Sequence, residues 1–325
     1  MNRNILITGG GGFIGSHVVE HFVKKYSQYN IVVVDSETYA ANLKFIDELK
    51  CNPLFKNVDY YYGDICNNII DTIFFQHNID SVIHLAAESH VDNSIKESDI
   101  FVKTNILGTL NLLNITKKHW IKVNNNYLFY HISTDEVYGS LGKNDMFYEH
   151  TPYDPKSPYS ASKASSDHFV RAYGNTYKIP YIISNCSNNY GERQHKEKLI
   201  PKTILNILNN KKVPVYGDGS NVRDWLYVKD HVEAIDKIFH NGNIGHTYNI
   251  GGDNEISNLE LVKRIINHLN FDYKDVIEFV EDRKGHDFRY AVNHDKISNQ
   301  LGWKPKTNID NGLLKTIKYY KNNFK

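Results

Sequence analysis

Asn4-Ile5-Leu6-Ile7-Thr8-Gly9-Gly10-Gly11-Gly12-Phe13-Ile14-Gly15 decides the fold. The apolar run Ile5 to Thr8 reads as a buried strand, and Gly9, Gly12 and Gly15 make a G-x-x-G-x-x-G spacing that opens a helix from Phe13 to Tyr26. Glycines there permit a tight turn and close backbone approach, so that a pyrophosphate can rest against the helix N-terminus. Taken alone, a glycine run is equally the mark of a plain tight turn. The next strand, Ile31 to Asp35, separates the two readings. Asp35 ends it, 20 residues beyond Gly15, where a carboxylate accepts from both ribose hydroxyls and repels a 2′-phosphate. Strand, glycines, helix, strand and acid in that order predict a dinucleotide site, with NAD favoured over NADP.

Working outward, Val58 to Gly63, Ser81 to Leu85, Tyr127 to Ile132 and Tyr181 to Asn185 read as further strands. Helical stretches lie between them at Asn67 to His77, Ile100 to Lys118 and Ala161 to Tyr177. This alternation predicts an α/β fold, a Rossmann-type doubly wound parallel sheet. After about Asn188 the pattern turns irregular, with Pro201, Pro214, the Gly217-Asp218-Gly219 turn and short helices near Leu199 to Leu208 and Leu259 to Leu269. The expected organisation is an NAD-binding domain over residues 1–187 and a smaller mixed α/β substrate-binding lobe over 188–325. Part of 223–240 is expected to return to the first domain.

Length 325 admits one large or two closely joined domains. Lys+Arg 38 against Asp+Glu 37, with no long block of like charge, points away from nucleic acid and membrane surfaces and toward a small-molecule ligand. The pair Lys211-Lys212 reads as a solvated turn. Cys51, Cys66 and Cys186 are few, odd in number and far apart, which fits a reduced compartment. With no leader pattern and no apolar run of roughly 18 residues, a soluble cytoplasmic protein is expected. His17 and His21 stand i, i+4 without an evident third ligand, so no metal site is expected.

Tyr159 and Lys163, four apart at a helix start, share a face. A phenol of pKa about 10 is a poor base, and a neighbouring ammonium together with an oxidised nicotinamide favours phenolate. Upstream, the strand Tyr127 to Ile132 delivers Ser133-Thr134-Asp135-Glu136 to the sheet's C-terminal edge, where open α/β folds bind ligands. A helix or turn cap would account for one of these residues, but not for an acid and a base side by side. A tyrosine alone oxidises an alcohol; an added acid and base permit loss of water from the ketone.

At this point the chain resembles the extended short-chain dehydrogenase/reductases, and within them the dTDP-glucose 4,6-dehydratase family. The resemblance is carried by Thr8 to Ser16, Val34-Asp35, Asp64-Ile65, His84 to Asp92, Ser133 to Gly139, Ser157 to Ala164, Asn185 to Gly191, Glu197 to Pro201, Arg223 to Asp230, and Asp282-Arg283 with Gly285-His286-Asp287. It implies a cycle in one pocket. Tyr159 removes the C4 hydroxyl proton, with Thr134 holding that hydroxyl. Glu136 removes the C5 proton, protonated Asp135 assists departure of the C6 hydroxyl, and hydride returns from the bound cofactor to C6. The product is a 4-keto-6-deoxy sugar of rhamnose-type biosynthesis. The resemblance also implies NAD contacts from Phe13, Ile14, Asp35, Thr38, Asp64, Ile65, Leu85, Ala87, Thr104, Tyr159, Lys163 and Asn189. Around the nucleotide sugar it implies Ser89, Asn188, Lys198, Leu199, Pro214, Tyr216, Arg223, Asn258, Arg283 and His286. The two arginines suit a diphosphate.

Gly11 stands where the family often has alanine, Lys284 replaces a usual proline, and Phe288 a frequently basic residue. Ser220-Asn221-Val222 is more like UDP-glucose 4,6-dehydratases, whereas Asp224 to Val228 and His286 are like the dTDP branch. A sugar-nucleotide 4-epimerase would share fold and Tyr159 but carry a small or hydroxyl residue in place of Asp135 and Glu136. A non-catalytic NAD sensor would have lost one of Tyr159, Lys163, Asp135 or Glu136. The resemblance further implies a homodimer, formed as a four-helix bundle by Ile100 to Lys118 and Ala161 to Tyr177.

Overall fold

A computed structural model describes residues 2–120 and 127–323. The strands are β1 Asn4–Thr8, β2 Asn30–Asp35, β3 Val58–Tyr62, β4 Ser81–His84, β5 Leu128–Thr134, β6 Tyr181–Cys186, β7 Asn188–Tyr190, β8 Val213–Tyr216, β9 Val222–Tyr227, β10 Thr247–Ile250, β11 Glu255–Ser257 and β12 Ile277–Val280. Seven of them form one parallel sheet in the order β10-β6-β5-β4-β1-β2-β3. The order reverses between β1 and β4, which opens the crevice where such sheets take ligands.

Strands β1 and β2 read as near-continuous apolar runs because both faces of the sheet are covered there. Side chains alternate across the pleat. Ile5, Ile7, Ile31 and Val33 enter one core with Val18, Val19 and Phe22 of helix α1 (Phe13–Lys25). Leu6, Val32 and Val34 enter the other with Ile70, Leu112, Leu113 and Val170. Along the chain follow α2 (Leu43–Cys51), α3 (Ile69–His77), α4 (Val91–Lys96), α5 (Asp99–Phe101), α6 (Thr109–His119) and α7 (Pro158–Tyr177).

A second core gathers α8 (Leu199–Leu208), α10 (Asn258–His268) and α13 (Ile309–Asn323) around Val213 and Val215, with Ile200, Ile204, Leu261, Ile265, Leu313 and Ile317 fully enclosed or nearly so. The β11-β9-β7 and β12-β8 sheets flank it. Helix α9 (Val228–Asn241) instead packs on α1, through Phe239 against Phe22 at a ring-centroid distance of 5.5 Å. Its Asp236 accepts hydrogen bonds from Tyr26, Lys25 and His21. The short helices α11 (Tyr273–Val276) and α12 (Asp295–Leu301) complete the order.

Two expectations change. The boundary at 188 is too simple, because β10 is hydrogen-bonded to β6 as the seventh strand of the main sheet, and Ile297 of α12 and Trp303 enter its core. Four residues of strand are too few to give a periodic signal. The single helix expected over Ile100 to Lys118 is α5, then a π-helical stretch Val102–Gly108, then α6. Gly108 lies against Ile65, where a Cβ would meet the isoleucine at 2.5 Å. Among the described residues no helix is long and apolar enough to cross a membrane.

Candidate active site

The glycine loop is built for close approach. A Cβ on Gly15 would lie 2.1 Å from the Gly9 carbonyl, and Gly9 has φ +69°. Gly12 caps α1 without a side-chain hydrogen bond, so the first N–H groups of the helix stay available to an anion. Asp35 holds the loop, its Oδ2 accepting from Gly11 N at 2.8 Å and its Oδ1 from Glu37 N at 2.8 Å. Each carboxylate oxygen keeps a further lone pair for a hydroxyl. The donor set and the cradle fit a dinucleotide with a free ribose.

From this loop a continuous cavity of about 760 Å³ runs to Lys198. Gly9, Gly12, Phe13, Ile14, Gly15, Asp35, Thr38, Asp64, Ile65, Leu85, Ala87, Thr104 and Asn189 all line it, as do Ser89, Asn188 and Lys198. Thr134, Asp135, Glu136, Tyr159 and Lys163 share the same space. The four reacting groups expected from sequence therefore face one chamber.

The geometry of that chamber comes from two elements. Strand β5 extends two residues further than expected, through Thr134, and passes directly into a 3-10 turn over Asp135–Tyr138. Thr134 Oγ1 accepts from Glu136 N at 3.3 Å and also reaches the Tyr159 phenol. Helix α7 begins on a capping box, Ser157 and Ser160 each accepting from the other's backbone N–H, with Pro158 at its first position. That fixes Tyr159 in the first turn.

The paired carboxyls differ. Asp135 is 1% exposed, its Oδ2 has no hydrogen-bond partner, and burial followed by the Glu136 charge pushes it well above the carboxylate range. Glu136 is also raised by burial, but Arg223 and Lys198 pull it back toward ionisation. Of the two, Asp135 therefore holds a proton more readily and Glu136 ionises more readily. Burial, then Glu136, pushes the Tyr159 phenol well above its usual value, with Thr134 opposing. The sequence expectation of a phenol lowered by Lys163 is not met by the protein's own groups. Lys163 Nζ is 2.9 Å from the Ile132 carbonyl, to which it donates.

Tyr216 and Arg283 line a separate cavity of about 260 Å³ with Asp92, Ile95, Lys96 and Lys284. Leu199, Pro214, Arg223, Asn258 and His286 line neither cavity. Leu199 opens α8, Asn258 opens α10, and Pro214 sits in β8 opposite Glu278. His286 is held by Asp282 at 2.7 Å, edge-on to Tyr216. Arg223 is buried, stacks at 4.3 Å on Tyr290 and donates to the Asp287 carbonyl. Arg283 is paired with Asp92 at 2.5 Å, which ties α4 to the second core's loop. Sequence reading missed Asp92, although it lies in a quoted stretch. It also missed Glu88, Cys186, Ser187, Gln194, His195 and Glu197 on the cavity wall, none of which carries a spacing signal.

A family model described as GDP-mannose 4,6 dehydratase matches residues 6–316. The dTDP-glucose 4,6-dehydratase of Neisseria gonorrhoeae is 48% identical over 99% of this chain and 96% of its own length. This chain belongs to the dTDP-glucose 4,6-dehydratase family. Two solved structures of dTDP-glucose 4,6-dehydratases share its fold. The Bacillus anthracis protein, in complex with NAD, has a TM-score of 0.89 at 44% identity, covering 99% of this chain and 97% of that one. The Streptomyces venezuelae protein, also with NAD bound, has a TM-score of 0.91 at 38% identity, with 98% and 97% covered. The match to the family model, over residues 6–316, takes in both the glycine loop and the lobe that carries Arg223 and Arg283.

Proposed function

We propose that this protein removes water from dTDP-glucose to give the 4-keto-6-deoxy sugar, as a hydro-lyase that keeps NAD bound through each turnover. The carrying observation is an acid and a base, Asp135 and Glu136, in the same chamber as Tyr159 and Lys163. Bound NAD supplies a hydride acceptor at C4, a donor at C6 and, when oxidised, a positive ring beside the phenol. Tyr159 takes the C4 hydroxyl proton, and Thr134 orients that hydroxyl. The 4-ketone acidifies the C5 proton, Glu136 removes it, and Asp135 hands a proton to the leaving C6 hydroxyl.

Residues 1–187 with β10 and α9 serve the cofactor, and the second core serves the nucleotide sugar through Lys198 on the main cavity wall and Arg283 on the smaller one, with Arg223 and His286 outside both. A uridine nucleotide is the second reading, favoured by Ser220-Asn221-Val222. The product fits deoxysugar biosynthesis of the rhamnose type. Exposed Ile100, Val102, Leu107, Phe169 and Tyr177 on α5 to α7 support a homodimer through a four-helix bundle.

The test is incubation with C4-deuterated dTDP-glucose or UDP-glucose without added NAD. The label should move to C6 while solvent hydrogen enters C5, faster with the dTDP sugar. Inverted sugar without loss of water would make the protein an epimerase, and no turnover of either sugar would leave it a cofactor-binding protein without this activity.

A further inference from the structure

The turn that carries Asp135 and Glu136 is short, and its two ends are held differently. The near end leaves β5 at Thr134, which stands opposite Cys186 of β6 and accepts from Glu136 N at 3.3 Å. The far end is Tyr138, after which Gly139 turns the chain away with φ +92°. Tyr138 is buried, so its phenol needs a partner inside the protein. It finds one 111 residues along the chain: Tyr138 OH donates to Asn249 Oδ1 of β10 at 2.8 Å, in a buried contact.

Asn249 is a rigid partner. It has no exposed surface, and its backbone is paired to β6 opposite Asn185. Its Nδ2 donates to the Phe147 carbonyl at 3.2 Å and its backbone N–H to Glu149 Oε1 at 3.0 Å. The Phe147 ring in turn stacks on Tyr138 at a centroid distance of 5.1 Å, and Tyr153 meets Tyr138 nearly perpendicular at 5.3 Å. Between the two ends the Val137 carbonyl accepts from Asp154 N at 3.0 Å. The turn is therefore clamped from β10 and from the segment 147–154. The groups of the oxidation step are held by other means: Tyr159 by the Ser157 and Ser160 cap of α7, Lys163 by the Ile132 carbonyl, Thr134 by β6.

We propose that Tyr138 and Asn249 are positioning residues for the loss of water: their hydrogen bond aims the Asp135 and Glu136 carboxyls at the sugar and leaves C4 oxidation to groups held elsewhere. The proposal rests on the dehydratase reading and adds to it a division between two steps. In the elimination the C5–H electron pair becomes the C5–C6 double bond as the C6–O bond breaks, Glu136 taking the proton and Asp135 giving one to the departing oxygen. An acid and a base act only within hydrogen-bond reach of the protons they move, and a displacement of about 1 Å can cost about a hundredfold in rate. Tyr138→Phe deletes one oxygen, keeps the ring against Phe147 and leaves Asn249 Oδ1 buried without its donor. Asn249→Leu breaks the same bond from the β10 side, while the Phe147 carbonyl still accepts from Asn293 N at 2.9 Å.

The experiment is a single turnover of dTDP-glucose by the NAD-loaded protein, followed by the near-ultraviolet absorbance of reduced nicotinamide. That signal appears on C4 oxidation and disappears only after water has left and hydride has returned to C6. In each variant the absorbance should rise at a rate within about threefold of the unaltered protein and decay about ten- to a hundredfold more slowly, with the NAD content unchanged. The double variant should be no slower than the slower single one, because both substitutions remove one bond. Asn249→Leu carries the expectation alone if the phenylalanine variant does not fold. A decay as fast as in the unaltered protein overturns the proposal. So does an equal slowing of rise and decay, or a loss of bound NAD, either of which marks a merely structural role. An unaltered protein that releases sugar with its C6 oxygen in place fails as a dehydratase and takes this proposal with it; a working unaltered protein with unaffected variants sinks this proposal alone.

Discussion

Glu136 differs from its neighbour Asp135 by what reaches it: Arg223 from β9 and Lys198 before α8 favour its ionised form, while Asp135 keeps an unpartnered oxygen in an enclosed site. Glu136→Gln should lower kcat by about a hundred- to ten-thousandfold while the protein still purifies with NAD, read by turnover and by assay of released cofactor. Wild-type kcat in that variant would remove Glu136 from the reaction. Gly15→Ala places a methyl 2.1 Å from the Gly9 carbonyl, so the loop must open. The variant should purify without NAD, as the same assay will tell. The side-by-side acid and base were visible in sequence because they are adjacent. Their difference was not, since Glu136 is reached by residues 62 and 87 positions away.

At the scale of elements, α7 depends on its first turn. Ser157→Ala removes half of the capping box and should cost about 1 kcal/mol of stability, measurable by denaturant unfolding. It should also reduce kcat, because Tyr159 lies two residues into the same turn. The α1–α9 contact turns on Asp236, whose side chain is 4% exposed and is depressed far below the carboxylate range despite burial, by hydrogen bonds from His21, His240, Lys25 and Tyr26. A depressed carboxylate stabilises the fold fully above its unfolded pKa of about 3.9 and loses that contribution as pH falls toward its native value. Asp236→Asn should therefore be destabilised by about 3 kcal/mol or more at pH 7, with the deficit shrinking between about pH 5 and pH 2, as unfolding at several pH values would reveal. The sheet was legible because Ile31 to Val34 and its companions are apolar on both faces. The π-helical stretch was not: it ends at Gly108, whose close approach to Ile65 spans 43 residues of chain and has no local signature.

For the whole molecule, the exposed apolar positions from α5 to α7 are the ones the proposed pairing of subunits would cover. Leu107→Glu with Phe169→Glu, at sites 51% and 37% exposed, should convert a dimeric mass to a monomeric one in sedimentation or light scattering. A dimer that survives both charges would place the contact elsewhere. The change of pattern near Asn188 marks where the strand-helix alternation stops, but the return of β10 to the main sheet was hidden, since the strand is too short to declare itself. That strand has a consequence for biogenesis. The ribosome must release about 250 residues before the sheet's last edge can be zipped to β6. Early chain segments therefore wait with an open border, and amputating the lobe would strand that border permanently rather than liberate an autonomous NAD module.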